Sequence, residues 1–116
     1  MSKNQGIKQF NYPVKDIAKA KMLFSKLLGV EPYMDEAYYV GFRVGDQEIG
    51  LDPTAREQGL TGPTGYYEVA DIKRTLQALL EAGAQALQAV RDVGSGKLIA
   101  TVKDADGNFI RLIQLP

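Results

Sequence analysis

The residues able to do chemistry in this chain are carboxylates, amides, tyrosines, lysines and arginines, because its 116 residues include no histidine and no cysteine. Histidine is the commonest general base near neutral pH and the commonest transition-metal ligand, so both roles lose their usual residue. A strand carboxylate, Glu48 or Glu68, is the candidate general base, and Arg111 is the candidate group to stabilise an oxyanion. The lack of cysteine excludes thiol catalysis and a disulfide framework.

The composition is that of one ordinary globular domain. With 45% hydrophobic and 24% charged residues, the chain can bury enough surface to fold without covalent cross-links. Fourteen basic residues balance fourteen acidic ones, so no net field attracts nucleic acid or an anionic membrane. The polar start and the lack of a long apolar run predict a cytoplasmic protein with neither a leader nor a membrane span.

A repeated pattern organises the chain. Asp16 begins an amphipathic stretch that ends at Gly29, and Asp71, 55 positions later, begins another that ends at Gly83. Each aspartate is placed to cap a helix N-terminus, and each glycine is placed to take the left-handed conformation that ends a helix. Apolar residues at three- and four-residue steps predict one buried face per helix. These residues are Ile17, Ala20, Leu23, Phe24, Leu27 and Leu28, then Ile72, Leu76, Leu79 and Leu80.

Strand-like runs surround the two helices in the same order. Runs at 7–14 and 66–69 lead into the helices, and hairpins at 38–51 and 97–115 follow them. A further extended stretch is expected at 87–96. The chain is therefore predicted to be an α+β protein of two βαβββ modules.

The expected domain organisation is a single domain with an internal repeat. Module one covers about 5–53, a linker rich in glycine covers about 54–62, and module two covers about 63–116.

Two motifs carry a family resemblance. The opening motif runs from Tyr12-Pro13-Val14-Lys15-Asp16-Ile17 through Ala20, Phe24, Leu27 and Leu28 to Gly29, and the closing motif is Asp104-x-Asp106-Gly107-Asn108-x-Ile110-x-Leu112-x-Gln114. With the repeat, they resemble the vicinal oxygen chelate superfamily of glyoxalase I, bleomycin-resistance proteins and extradiol dioxygenases. The resemblance implies a glyoxalase-like fold, in which two modules form a partial barrel around a cleft, and a homodimer.

The resemblance also implies where a metal would bind. Metal-binding members carry a ligand, usually His or Glu, in the first and last strand of each module. In this chain those four positions hold Gln9, Gly50, Thr64 and Arg111. Glycine has no side chain, arginine repels a cation, and the other two are not usual strong ligands. We therefore expect no catalytic metal and no cofactor; the alternative is an oxygen-only cation site using Glu48, Asp52 and Glu68.

The same positions indicate a polar face, because alternate residues of a half-buried strand share a face. That face is expected to hold Gln9, Asn11, Glu48, Asp52, Thr64, Tyr66, Glu68 and Arg111. The expected ligand-binding residues are Gln9, Asn11, Tyr39, Asp52, Tyr66 and Arg111. Arg111 either binds an anion or pairs with Glu48 or Glu68. The rings of Tyr33, Tyr38 and Tyr39 either stack on a planar ligand or a dimer partner, or pack in the core.

Three functions are consistent with these residues. The first is metal-independent binding of a small organic molecule in a polar cleft, as in the bleomycin-resistance branch of the family. The second is a metal-free lyase or isomerase with a carboxylate base, Glu48 or Glu68, and Arg111 at the oxyanion. The third is a non-catalytic interaction module. The identity of the ligand does not follow from the residues.

Overall fold

The computed structural model describes residues 4–60 and 62–116, and this part of the chain follows the order β-α-β-β-β twice. The first set is β1 (Asn4–Pro13), α1 (Ile17–Leu28), β2 (Met34–Glu36), β3 (Tyr39–Val44) and β4 (Gln47–Asp52). The second set is β5 (Thr64–Val69), α2 (Ile72–Glu81), β6 (Gln85–Asp92), β7 (Leu98–Lys103) and β8 (Phe109–Gln114). The α+β class and the repeated βαβββ order are confirmed.

The chain divides into two compact units. The first unit is residues 9–64, and the second unit is residues 65–116 together with the start of β1 up to Lys8. The expected linker at 54–62 contains a short 3-10 helix, Ala55–Gln58, while residue 61 lies outside the described residues. No helix within the described ranges is long and apolar enough to cross a membrane.

The first unit is a mixed sheet covered by α1. Its strands lie in the order β2-β3-β4-β1, with β1 parallel to β4 and β3 antiparallel to β4. Val40, Phe42 and Leu51 form its buried centre. The side chains packed against this centre are Tyr12, Val14, Ile17, Ala20, Phe24, Leu28 and Ile49. Burying these apolar groups beneath α1 leaves the other face of the sheet for polar residues.

The buried stripe of α1 is narrower than expected. Leu23 and Leu27 are 66% and 71% exposed, so their assignment to the buried face was wrong. The helix rests on the sheet through Ala20, Phe24 and Leu28. Side chains of consecutive residues point about 100° apart around the helix axis. Leu23 and Leu27 therefore point to the outer side of α1.

The second unit repeats this arrangement with α2. Its strands lie in the order β5-β8-β7-β6, with β5 parallel to β8 and the other pairs antiparallel. Val69, Ile72, Ala100 and Leu112 form its buried centre. Tyr67, Leu76, Leu79, Val90, Leu98 and Ile110 pack against this centre. The predicted apolar strand residues face the helix in both units, but the other face of the second unit is mixed, because Tyr66, Ile99 and Ile113 form a buried apolar cluster there.

Aspartates cap both helices as predicted. The Asp16 carboxylate accepts a hydrogen bond from the backbone N–H of Lys19 at 3.1 Å, and that of Asp71 accepts one from Arg74 at 3.1 Å. Each bond satisfies one of the donors that a first helical turn leaves without a partner.

The two helices end differently. Gly29 takes the left-handed conformation, with φ of 72°, and its N–H donates to the carbonyl of Ser25 at 2.9 Å. The second helix ends one residue earlier than predicted, because Ala82 is the cap residue and Gly83 follows it with φ of 109°.

The closing motif has a structural role. The Asp104 carboxylate accepts from the backbone N–H groups of Asp106 and Asn108 at 2.9 and 2.8 Å, and from Asn108 Nδ2 at 2.9 Å. These bonds, chiefly those from Asn108, lower the pKa of Asp104. Gln114 Oε1 accepts from the N–H of Ile72 at 2.8 Å and so joins β8 to the start of α2.

Asp16→Ala is expected to lower the free energy of unfolding by about 1 kcal/mol, because the N–H of Lys19 loses its acceptor. Asp16→Asn keeps a side-chain oxygen at the same place and is the matched control. Urea denaturation of the three proteins measures the difference. Equal loss in both variants would show that the cap is not the stabilising contact.

Candidate functional site

Strand register assembles a polar face in the first unit. In the parallel pair β1 and β4, Gln9 lies opposite Glu48 and Asn11 lies opposite Gly50. Paired residues share a face, and the neighbouring residues Ile49 and Leu51 belong to the face under α1. The predicted polar residues of β1 and β4 therefore lie together on the side of the sheet away from the helix.

Glu48 is the centre of a hydrogen-bonded cluster on this face. Its carboxylate accepts from the hydroxyl of Tyr33 at 2.6 Å and from that of Tyr39 at 2.5 Å. Gln9 Nε2 donates to Asn11 Oδ1 at 3.0 Å and reaches the Tyr39 hydroxyl at 3.5 Å. The structure thus brings together Gln9, Asn11, Tyr39 and Glu48, as predicted, and adds Tyr33.

Two glycines make room for the tyrosine rings. Gly41 and Gly50 lie opposite each other in β3 and β4. A Cβ atom at Gly41 would lie 2.9 Å from the Tyr33 ring and 3.0 Å from the Tyr39 ring, and one at Gly50 would overlap the Tyr39 hydroxyl and approach Asn11 Oδ1 to 2.5 Å. Any larger residue at Gly50 would displace the cluster.

Tyr33 is held as a neutral donor. Burial, followed by its hydrogen bond to Glu48 and the charge of Glu48, raises the pKa of Tyr33 from 10.0 to about 12. The guanidinium of Arg43 lies 4.2 Å from the centre of the Tyr33 ring and opposes this shift. The phenol therefore keeps its proton across the neutral range and donates a hydrogen bond to Glu48.

The second unit places a cation on its polar face. Arg111 is 2% exposed, its guanidinium lies 4.3 Å from the centre of the Tyr66 ring, and its Nε donates to Thr101 Oγ1 at 3.3 Å. The Thr101 hydroxyl in turn donates to Gln88 Oε1 at 3.0 Å. Tyr66 and Arg111 were predicted to lie together, whereas Thr101 and Gln88 were not identified.

Two predicted site residues join neither cluster. The Asp52 carboxylate accepts from the backbone N–H and the hydroxyl of Thr54, both at 2.8 Å, and so stabilises the turn after β4. Glu68 is half-buried and makes no hydrogen bond or ion pair with any residue in 4–60 or 62–116.

The sequence contains one signal for the residues that were missed. Glycine inside a strand often marks a close approach of other groups to the backbone. Gly41 and Gly50 both lie inside the strands of the predicted hairpin, so they indicate other groups lying against both strands. The contacts of Tyr33 with Glu48 and Arg43 have no local signal, because they depend on how the loop before β2 returns to the sheet.

The donor set does not fit a transition-metal ion. Within the described residues, no group of three or more His, Cys, Asp or Glu side chains could hold a metal. At the expected ligand position Gly50, the space is taken by the Tyr39 hydroxyl and the Asn11 amide. At this position the first unit holds hydrogen-bonding side chains.

The fold and these sites define an α+β protein with two βαβββ units that carry polar sheet faces. Residues 6–112 match the Glyoxalase/Bleomycin resistance protein/Dioxygenase superfamily, and the chain belongs to this family. The resemblance found in the sequence is confirmed. No curated protein matches the chain.

Solved structures share the fold at low sequence identity. A superfamily member from Vibrio splendidus 12B01 has 18% identity and a TM-score of 0.72, covering 98% of each chain. Methylmalonyl-CoA epimerase from Mycobacterium tuberculosis has 18% identity and a TM-score of 0.71, covering 97% of this chain and 89% of its own. The Mn(II)-bound glyoxalase from Novosphingobium aromaticivorans has 17% identity and a TM-score of 0.70, covering 98% of this chain and 40% of its own.

Gly50→Ala is expected to lower the free energy of unfolding by about 1–3 kcal/mol, because the added methyl group overlaps Tyr39 and Asn11. Gly62→Ala is the matched control, since a Cβ there meets no atom within 4 Å. Urea denaturation followed by circular dichroism measures both. Equal stability of the two variants would show that the rings do not need the glycine.

The raised pKa of Tyr33 predicts a loss of stability at high pH. The folded chain holds this proton more tightly than the unfolded chain, so the stabilisation is complete below pH 10.0 and disappears as the pH rises to about 12. An absorbance titration of the six tyrosines should show a last component near pH 12.

That component should be absent from Tyr33→Phe and present in Tyr38→Phe, because Tyr38 is 62% exposed and lies outside the cluster. A last component that survives in Tyr33→Phe would assign the high pKa to another tyrosine.

Proposed function

We propose that this protein binds a small organic molecule, without a metal ion, on the polar face of its first unit. One observation carries the proposal: the cluster of Gln9, Asn11, Tyr33, Tyr39 and Glu48 is a set of hydrogen-bonding groups assembled around two facing glycines. Binding sites for small molecules combine aromatic surface with a few fixed polar groups in this way.

The hydrogen bonds of Glu48 favour a binding role over a catalytic one. Each of its two carboxylate oxygens accepts a hydrogen bond from a phenol. A substrate proton could reach either oxygen only by displacing one of these phenols. Glu48 therefore serves better to orient Tyr33 and Tyr39 than to remove a proton from a substrate.

Burial favours the first unit as the place of binding. Tyr66 and Arg111 are 4% and 2% exposed, so they offer little surface to a ligand. Tyr39 and Gln9 are half-buried, and Tyr33 is 44% exposed. Asn11 is 5% exposed, but its Nδ2 keeps contact with solvent, whereas Nη1 of Arg111 is fully buried. We therefore assign ligand contact to Gln9, Asn11 and Tyr39, and support of the second unit to Tyr66 and Arg111. A homodimer remains part of the proposal.

A metal-free lyase or isomerase is the second candidate, and the position of Glu68 favours it. This carboxylate is half-buried and has no hydrogen bond or ion pair with any described residue, so both of its oxygens are available to accept a proton from a substrate. Turnover that disappears in Glu68→Gln while binding persists would favour this candidate.

An interaction module is the third candidate. It is supported by the outer side of α1, where Met22, Leu23 and Leu27 are 69%, 66% and 71% exposed. Exposed apolar groups this close together are typical of surfaces that contact another protein.

Native mass spectrometry of the protein, prepared without added metal or chelator, tests the first candidate. We expect an organic mass that leaves on denaturation and no stoichiometric transition metal. Tyr39→Phe should lower its occupancy about tenfold at limiting ligand, because the hydroxyl that joins Gln9 to Glu48 is lost. Tyr38→Phe is the matched control.

Stoichiometric zinc, nickel, iron or manganese would contradict the proposal, and so would a mass that Tyr39→Phe retains in full. If the purified protein carries no organic mass, the same three proteins are screened by thermal shift against small organic compounds. Failure of every compound to stabilise the unaltered protein would also contradict it.

A further inference from the structure

Two side-chain amides of β1, those of Gln9 and Asn11, lie on the first unit's polar face; we call them the amide pair. Gln9 Nε2 donates to Asn11 Oδ1 at 3.0 Å, which uses the donor of one amide and the acceptor of the other. The groups that remain are one acceptor, Gln9 Oε1, and one donor, Asn11 Nδ2. Neither has a hydrogen-bond partner among residues 4–60 and 62–116.

The remaining donor is still within reach of a ligand. Asn11 is 5% exposed as a residue and Gln9 is half-buried, yet Asn11 Nδ2 is not among the fully buried atoms. A polar group at the edge of solvent can accept a partner from outside the chain. The amide pair therefore offers one donor and one acceptor to whatever binds beside it.

The charged groups nearby are already engaged within the chain. Glu48 accepts from Tyr33 and Tyr39, and the guanidinium of Arg43 lies over the Tyr33 ring. A ligand at the amide pair therefore meets neutral groups first. A carboxylate ligand can only accept and an ammonium ligand can only donate, so either would leave one group of the pair without a partner.

We propose that the amide pair binds an uncharged organic molecule that presents an N–H group beside a C=O group, as lactams and cyclic imides do. Gln9 Oε1 accepts from the N–H of the ligand, and Asn11 Nδ2 donates to its C=O. The ring of Tyr39, which lies across Gly41 and Gly50, supplies the adjacent aromatic surface. This inference rests on the proposed function and specifies the ligand class of the same site.

The probes are 2-pyridone, which has the N–H and C=O edge, and N-methyl-2-pyridone, which lacks the N–H. Benzoate and benzylamine test a negative and a positive charge on a ring of similar size. Two-dimensional NMR of the nitrogen-labelled protein follows the side-chain NH2 signals of Gln9 and Asn11 during each titration. We expect 2-pyridone to shift both signals and to bind about tenfold more tightly than its N-methyl derivative.

Asn11→Asp changes the free donor into an acceptor at nearly constant shape. It should abolish the response to 2-pyridone, followed on the Gln9 NH2 signal. Asn4→Asp is the matched control, since Asn4 is exposed and its Oδ1 only accepts from the N–H of Gly6. Because a buried aspartate can unfold the variant, the comparison of the four probes on the unaltered protein stands by itself.

Equal binding of 2-pyridone and N-methyl-2-pyridone would overturn the inference, because the N–H group of the ligand would then make no hydrogen bond to the protein. Tighter binding of benzoate or benzylamine at the amide pair would overturn the ligand class while leaving small-molecule binding in place. If no probe shifts these signals, the inference fails, and the co-purified mass decides the proposed function independently.

Discussion

The facing glycines Gly41 and Gly50 are the constraint on which the polar face of the first unit depends. Glycine inside a strand weakens a sheet, since it adds no packing surface and loses much conformational entropy on folding. Here the missing side chains leave room for two aromatic rings directly against the backbone. Only from that position do the hydroxyls of Tyr33 and Tyr39 both reach Glu48.

The two units use one topology for two different polar faces. Gly50 of β4 and Arg111 of β8 occupy corresponding places, each between two residues that pack toward a helix. In the first unit the empty place admits the Tyr39 hydroxyl, and in the second unit the guanidinium fills it and lies over Tyr66. The first unit therefore carries a hydrogen-bonded cluster around Glu48 where the second carries a buried cation, while the helix side of the sheet is preserved.

The sequence determined the helices and the faces of the strands. Asp16 and Asp71 begin helices because a short carboxylate satisfies local backbone donors, and this requires no distant contact. Alternation places Gln9, Asn11 and Glu48 on one face because side chains of a strand point to opposite sides in turn. The absence of histidine and cysteine limits the chemistry of any site regardless of the fold.

The tertiary structure decided which of these groups meet. Periodicity placed Leu23 and Leu27 on a buried helix face, but α1 contacts the sheet through Ala20, Phe24 and Leu28, which leaves both exposed. Tyr33 meets Glu48, 15 residues away, only after the loop before β2 returns to the sheet. Arg111 meets Tyr66 only through the pairing of β8 with β5. Local propensity acts within a few residues, whereas these contacts depend on chain paths and packing angles that are fixed when the whole unit folds.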